Sequence, residues 1–458
     1  MSSIRCFKAY DLRGRIPDEL NEDVAYRVGR GYAEFVAPAR VVVGRDIRLS
    51  SPSLRDALCR GLNDSGVDVD DIGVCGTEGV YFATFNGGYD GGIMVTASHN
   101  PPDYNGMKFV REQSKPISAD TGLKEIQAYA ERGEFRDAPK RGVHRDIDVT
   151  AAYVEHLLSY VDVKKLEPLK IVVNAGNGAA GLILDRLEPH LPFELIKIYH
   201  EPDGRFPNGV PNPMLEENRA PTVAAIREHG ADLGLAWDGD FDRCFFFDEL
   251  GRFVEGYYIV GLLASVLLRA ELSGGRIVHD PRLTWNTQEI VAAQGGQSVL
   301  SKSGHAFIKQ RMREVDGVYG GEMSAHHYFR RFAYCDSGMI PWLLITQIMS
   351  ESKKPLSKLV GERIAKFPVS GELNYRVPDA AAAMAAVEAR YAPQARSSDR
   401  TDGLSFEFAD WRFNLRSSNT EPLIRLNVEA RGSQDLMRAK TEEILGVLKS
   451  QGAVAADT

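Results

Sequence analysis

Three carboxylates, Asp238, Asp240 and Asp242, stand at alternate positions directly after the apolar run Leu233–Trp237. On one short loop they repel one another unless a cation neutralises them, and hard oxygen donors select Mg2+ or Ca2+. Asp-x-Asp-x-Asp also opens an EF-hand loop, and Glu249 falls at its twelfth position. The required sixth-position glycine is Arg243 here, however, and the flanks are strand-like rather than helical. A strand that delivers three carboxylates to a metal is the stronger reading. A second chemical stretch is Gly92-Ile93-Met94-Val95-Thr96-Ala97-Ser98-His99-Asn100-Pro101-Pro102-Asp103-Tyr104-Asn105-Gly106-Met107-Lys108. Residues 93–95 read as the end of a buried strand, and the Pro-Pro pair can continue neither strand nor helix. Ser98 is thereby carried on a tight loop by a rigid element, a common position for a reacting side chain, although the same residue types build ordinary turns. The adjacent Ser98-His99 pair does not make a hydrolase, because triad partners are assembled by the fold and no G-x-S-x-G elbow is present.

Two further stretches have the composition of ligand contacts. Arg416-Ser417-Ser418-Asn419-Thr420 offers a guanidinium, hydroxyls, an amide and successive backbone N–H groups, which together suit a phosphate. Gly321-Glu322-Met323-Ser324 ends a strand with a carboxylate and a hydroxyl able to grip sugar hydroxyls. His99, His305 and His326 lie beside these loops and rank as proton movers. Lys108 and Arg13 are the nearest basic residues to the serine loop and the N-terminal turn, and solvated surface charge is the default for both.

The elements that must position these groups follow from the apolar pattern. Leu20, Val24, Val28, Tyr32 and Phe35 mark one helix face, and Leu54, Leu58 and Leu62 another. Val41-Val42-Val43 and residues 67–74 read as strands, so the first section alternates strand and helix around a largely parallel sheet. Its functional loops are expected at the carboxyl ends of the strands. The pattern restarts after the charged residues 131–148. Lys170-Ile171-Val172-Val173-Asn174 enters a glycine-rich turn that lacks both G-x-G-x-x-G and Gly-Lys-Ser/Thr, so it reads as close strand–helix packing. A third similar unit runs through residues 276–280, 298–300 and 318–324. Beyond Phe367 the texture changes to an alternating, aromatic-rich stretch and a final helix over residues 436–448. The fold expected is α/β: three similar α/β mixed-sheet domains plus a smaller C-terminal α+β domain, arranged around a central cleft. The boundaries expected are 1–148, 149–249, 250–366 and 367–458.

At 458 residues the chain is too long for one core. A net charge of −8 argues against general nucleic-acid or anionic-membrane binding. Cys6, Cys59, Cys75, Cys244 and Cys335 are scattered and odd in number, which suggests reduced thiols and no zinc site. The first residues have no apolar core for a signal peptide, and no stretch is long enough to span a bilayer, so a cytoplasmic location is expected.

The four stretches Thr96-Ala97-Ser98-His99-Asn100-Pro101, Asp238-Gly239-Asp240-Phe241-Asp242-Arg243, Gly321-Glu322-Met323-Ser324 and Arg416-Ser417-Ser418-Asn419-Thr420-Glu421-Pro422 together resemble the α-D-phosphohexomutase family, in family order and spacing. The resemblance implies four domains with one motif loop each. It implies a phosphoserine at Ser98 and one Mg2+ held by Asp238, Asp240 and Asp242, completed by the Ser98 phosphate. His99, Lys108 and Arg243 would then serve the chemical step. Tyr10, Arg13, His305, Glu322, Ser324 and His326 would meet substrate, and Arg416, Ser418, Asn419 and Thr420 its distal phosphate. Phe7-Lys8-Ala9-Tyr10-Asp11-Leu12-Arg13-Gly14 is similar to the phosphomannomutase and phosphomannomutase/phosphoglucomutase branch. That branch implies conversion of mannose 6-phosphate and mannose 1-phosphate through a bisphosphate, with glucose 1,6-bisphosphate or mannose 1,6-bisphosphate as activator, and supply of GDP-mannose. The partner implied is a hexose phosphate, with no nucleic acid, membrane or obligate protein partner. Phe241 and Ala325 depart from the family pattern by standing where glycine is common.

Overall fold

The computed structural model describes residues 4–271, 274–417 and 423–456. The chain packs as two compact units. One comprises the chain up to Phe253 together with His326–Lys353; the other comprises Val254–Ala325 and the chain from Lys354 onward.

In the first unit, one sheet runs in the order Leu12–Arg15, Tyr104–Arg111, Gly91–Val95, Arg40–Arg45, Asp68–Val74, His144–Asp146. Its centre is parallel, and Gly91–Val95 is buried throughout, as continuous apolar strands are when both faces are covered. The sheet is mixed rather than largely parallel, because Tyr104–Arg111 folds back antiparallel on Gly91–Val95 and then pairs with Leu12–Arg15. The Pro-Pro turn imposes that reversal, and within it lies the Ser98 loop. The charged residues 131–148 contribute a short edge strand, His144–Asp146, which hydrophobic periodicity could not announce since all three residues are exposed. Helix Glu22–Val36 starts where the Asn21 side chain accepts from Val24 N at 3.0 Å, with Glu22 and Asp23 in its first turn opposite the helix dipole.

A second sheet in this unit places Leu233–Trp237 between Lys170–Asn174, parallel, and Cys244–Phe247, antiparallel. The aspartates occupy the tight link of that antiparallel pair. The glycine-rich turn after Lys170–Asn174 serves close packing: a Cβ on Gly178 would lie 2.9 Å from the Gly239 carbonyl in the aspartate link. The hairpin His327–Phe329/Cys335–Asp336 and helix Ile340–Ser352 also belong to this unit.

The second unit contains parallel strands Gln297–Leu300, Arg276–His279 and Tyr319–Gly321, with helices Gly256–Arg269, Trp285–Ala293 and His305–Val315. It also contains an antiparallel sheet in the order Ser397–Asp399, Leu404–Glu407, Trp411–Ser417, Leu423–Ala430, Leu373–Arg376, Val454–Ala455. Helices Ala380–Tyr391 and Gln434–Ser450 bury its apolar face around Phe413, Leu415, Leu426 and Val428. All five cysteines are free thiols. Among the described residues, no helix is long and apolar enough to cross a membrane.

Candidate active site

Ser98 begins the irregular loop that follows strand Gly91–Val95, with φ of 50°, a left-handed conformation that is unusual for a residue with a side chain. Its backbone N–H donates to Thr96 Oγ1 at 2.9 Å. Behind the loop lies Arg48, 1% exposed. Arg48 Nη2 donates to the carbonyls of Ser98 (3.0 Å) and Asn100 (2.6 Å), and Nη1 to those of Pro101 (2.7 Å) and Tyr104 (2.9 Å). The loop's main chain is thereby fixed and its hydroxyl turned toward the aspartates: Ser98 Oγ donates to Asp238 Oδ2 at 2.8 Å. That approach requires Gly239, where a Cβ would sit 2.5 Å from the Ser98 carbonyl oxygen.

Asp238, Asp240 and Asp242 are fully buried, with one carboxylate oxygen of each within 4.8 Å of the others. Arg243 Nε donates to Asp238 Oδ2 at 2.9 Å. Lys108 Nζ donates to Asp240 Oδ2 at 2.7 Å and Asp242 Oδ2 at 2.6 Å, and Thr77 Oγ1 adds a 2.5 Å bond to Asp240 Oδ2. Lys108 is thus buried between two carboxylates and not a solvated surface charge. The strand Tyr104–Arg111 points it inward, a placement set by register alone. Burial would raise the Asp240 pKa, but the Lys108 charge and hydrogen bond outweigh it and hold that carboxyl well below its usual range. Burial and then the Asp240 charge push Asp242 up to about 6. Although burial disfavours its charge, Lys108 is raised by the same two carboxylates and stays an ammonium at neutral pH.

These residues fit a hard divalent cation. The donor set is all oxygen, and Oδ1 of both Asp240 and Asp242 is buried with no hydrogen-bond donor. Leaving such atoms unsatisfied costs about 1–3 kcal/mol each, a cost that a bound cation removes. Left-handed backbone also occurs at the two positions where the family resemblance expects glycine, one in this link and one directly after Ser324. Phe241 has φ of 43° and Ala325 φ of 69°. The Phe241 ring fills the space over Gly76, where a Cβ would lie 2.4 Å from two ring carbons.

His99 Nδ1 lies 2.7 Å from Arg243 Nη2 and 3.1 Å from Ser98 Oγ. A guanidinium only donates, so Nδ1 accepts and the ring proton resides on Nε2. Burial, followed by the Arg243 and Arg13 charges, pushes the imidazole well below its ordinary pKa, so His99 is neutral. Arg13 is paired with Asp11 at 2.8 Å and donates to the Asn100 side chain in the serine loop. Tyr10 is half-buried in the turn leading into strand Leu12–Arg15. His326 Nδ1 is 3.0 Å from the buried Asp336 and 4.0 Å from Asp242 Oδ1. The first unit therefore brings together Ser98, His99, Lys108, Asp238, Asp240, Asp242, Arg243, Arg13 and His326.

In the second unit, Glu322 follows strand Tyr319–Gly321 and Asp280 follows strand Arg276–His279, both at carboxyl ends. Arg282 links the loops. Its Nε and Nη2 bind Asp280 at 2.9 and 3.0 Å, Nη2 reaches Ser324 Oγ at 3.3 Å and Glu322 Oε1 at 3.5 Å, and Nη1 meets Glu372 at 3.3 Å. Gly304 N donates to Glu322 Oε1 at 2.8 Å, which places His305, the first residue of its helix, beside that carboxylate's loop. Arg416, at the end of strand Trp411–Ser417, donates to Glu372 at 2.8 Å. Ser418, Asn419 and Thr420 lie outside the described residues.

Sequence reasoning missed Arg48, Thr77, Asp336, Arg282 and Glu372. The first had a usable signal: it stands in the polar loop at the carboxyl end of strand Arg40–Arg45. Thr77, Asp336 and Glu372 act through contacts the local pattern does not show, and Arg282, though bound to the nearby Asp280, reaches Ser324, Glu322 and Glu372 only through the fold.

Four family models describe the chain. Phosphoglucomutase/phosphomannomutase alpha/beta/alpha domains I, II and III match residues 5–137, 151–251 and 255–367, and the corresponding C-terminal domain matches residues 372–446. The chain is 60% identical over 458 residues to a phosphomannomutase of Salmonella montevideo, covering 98% of this chain and 100% of that one. It is also 60% identical over 448 residues to a Xanthomonas campestris pv. campestris (strain B100) protein named phosphohexose mutases, at the same coverage. A crystal structure of a phosphoglucomutase/phosphomannomutase family protein from Burkholderia thailandensis superposes with a TM-score of 0.89 at 33% identity, covering 100% of this chain and 99% of that chain. The chain belongs to the phosphoglucomutase/phosphomannomutase family, the α-D-phosphohexomutases.

Proposed function

We propose that the protein is a phosphomannomutase that interconverts mannose 6-phosphate and mannose 1-phosphate through a phosphorylated Ser98. In the first half, the P–O bond to Ser98 Oγ breaks as a new P–O bond forms to the free sugar hydroxyl, whose proton leaves. The product is a 1,6-bisphosphate and unmodified Ser98. After the bisphosphate turns around, its other phosphate returns to Ser98 and the sugar oxygen takes back a proton. Glucose 1,6-bisphosphate or mannose 1,6-bisphosphate would load Ser98 at the start. The observation that carries this reading is the Ser98 hydroxyl, 2.8 Å from one of three buried aspartates whose charge no other pairing fully neutralises.

Each residue has a part. Asp238, Asp240, Asp242 and the Ser98 oxygen would hold Mg2+, which when bound stabilises charge on the transferring phosphoryl group. Lys108 and Arg243 are fixed cations that orient the aspartates and offset negative charge; a lysine held as ammonium is no base. His99, neutral with Nδ1 turned to Ser98 and Arg243, positions the serine. His326, backed by Asp336, is the group we assign to the sugar proton. Glu322 and Ser324 would accept and donate to sugar hydroxyls, while Tyr10, Arg13, His305, Arg416, Ser418, Asn419 and Thr420 hold the sugar and its distal phosphate.

Mannose as the sugar rests on the names of the relatives, which read phosphomannomutase at 60% identity. Dual specificity for mannose and glucose phosphates is the second reading, favoured by the equally similar Xanthomonas protein. The test compares kcat/KM for mannose 1-phosphate and glucose 1-phosphate in a coupled assay activated by glucose 1,6-bisphosphate. A ratio well above ten supports the first reading, and near parity the second. Ser98→Ala is expected to abolish both activities and to carry no phosphate; full activity in that variant would sink the phosphoserine route.

A further inference from the structure

We propose that Arg48 is a positioning residue for phosphoryl transfer: it clamps the main chain of the Ser98 loop and holds the reacting oxygen in register with the aspartates. The proposal rests on the reading of Ser98 as phosphoryl carrier. The geometry is specific. Its two terminal nitrogens take four main-chain carbonyls, those of Ser98, Asn100, Pro101 and Tyr104, and only the Pro101 carbonyl also accepts from the turn itself, from Tyr104 N at 3.0 Å. These span both ends of the reversal between strands Gly91–Val95 and Tyr104–Arg111, so a single planar fork sets where the loop leaves one strand and enters the next. A lysine ammonium cannot match two diverging pairs of acceptors.

The fork is itself held from behind. Asp46 Oδ2 lies 3.3 Å from Arg48 Nε, and Asp46 Oδ1 accepts from the Arg48 backbone at 3.0 Å and from Ser51 Oγ at 2.5 Å. Asp46 N donates to the Val95 carbonyl at 2.9 Å, tying this support to the strand that delivers Ser98. Asn105 Nδ2 closes the frame with bonds to Ser50 Oγ and Ser51 Oγ at 2.8 and 2.9 Å. Within that frame Ser98 keeps a left-handed φ of 50°, which costs energy unless the surroundings determine it. Arg48 also brings a positive charge to the back of the loop without touching the hydroxyl. It serves the oxygen that carries phosphate only through the backbone.

The expected signature is therefore in turnover and not in substrate affinity. Displacing a reacting atom by about 1 Å costs roughly 100-fold in rate. Arg48→Ala should lower kcat about 100-fold and slow phosphate loading of Ser98 from glucose 1,6-bisphosphate, followed by intact mass, to the same extent. KM for mannose 1-phosphate should stay within about twofold. Guanidinium chloride at millimolar concentration should restore part of the loading rate in Arg48→Ala and none in wild type. A kcat within threefold of wild type overturns the proposal. So does parallel loss of kcat, KM and melting temperature without guanidinium rescue, the signature of a merely structural role. Should Arg48→Ala fail to fold, Arg48→Lys decides: a kcat reduced about 10-fold or more at unchanged KM supports the clamp, and full kcat refutes it. Failure of the underlying reading shows separately, since wild-type enzyme would then take up no phosphate on Ser98.

Discussion

Replacing Lys108 by methionine removes the ammonium between Asp240 and Asp242 while keeping most of the stem's packing. In the metal-free protein this strands two carboxylates, 2.7 and 2.6 Å from the lost charge, in a site from which water is excluded. Each contact of that kind is worth about 5–6 kcal/mol by Coulomb's law at an effective dielectric of 20 and 3 Å, before the cost of desolvating the lysine is counted. Breaking buried pairs by removal of one partner leaves a net loss of about 3–5 kcal/mol. The unit holding residue 108 should melt lower by on the order of 10 °C in EDTA. Divalent cation narrows the difference. Lys108 and a metal offset the charge of the same two carboxylates, so Lys108→Met should bind Mg2+ more tightly and gain more from it. At 100 times the dissociation constant, binding contributes about 2.7 kcal/mol. Differential scanning calorimetry of both proteins across a Mg2+ titration measures this directly, and mutase activity should fall despite the tighter binding. Equal melting temperatures in EDTA, or a smaller Mg2+ gain in the variant than in wild type, would refute the placement of Lys108 as internal counter-ion of the aspartates.

Two other outcomes follow from buried groups. Phe241→Gly relieves a left-handed φ worth about 1–2 kcal/mol but deletes a fully buried ring, whose loss costs about 3–5 kcal/mol, so net destabilisation of about 2–3 kcal/mol in urea unfolding is expected; a stabilised variant would contradict it. Glu78, at the start of helix Thr77–Asn86, is raised by burial to about 8, with Ser337, Tyr153 and the Met339 backbone only partly offsetting that. A carboxyl whose folded pKa is raised binds its proton more tightly folded than unfolded. Its contribution is therefore present below about 4.5 and lost as pH rises to about 8, at roughly 1.4 kcal/mol per unit in that window. Glu78→Gln should flatten stability between pH 5 and 8 by about that slope, and an unchanged slope in denaturation curves would show that Glu78 is not protonated when folded.

Much of the candidate site was legible in order along the chain. Strand ends followed by Asp238-Gly239-Asp240-Phe241-Asp242-Arg243, or by Ser98 and two prolines, are local signals. They depend on apolar runs, turn residues and charge spacing, and the fold places both loops at the carboxyl ends of strands as expected. The glycine-like positions were legible too, because Phe241 and Ala325 occupy left-handed backbone where glycine is easiest. The antiparallel return of Tyr104–Arg111, the edge strand His144–Asp146 and the burial of Lys108 were not. Each follows from strand pairing between distant residues, which no local pattern encodes.

The residue types and their spacing alone marked Ser98, the three aspartates, Glu322 and Arg416 as candidates for the chemistry. Tertiary structure decided which groups govern them. It turned Lys108 from a surface charge into the counter-ion of Asp240 and Asp242, and it removed the proton from His99 Nδ1 by facing it with Arg243. It also put Arg48, fifty residues before Ser98, behind that loop. The reason is that burial and long-range pairing set protonation and orientation, and both depend on neighbours that only the folded chain supplies.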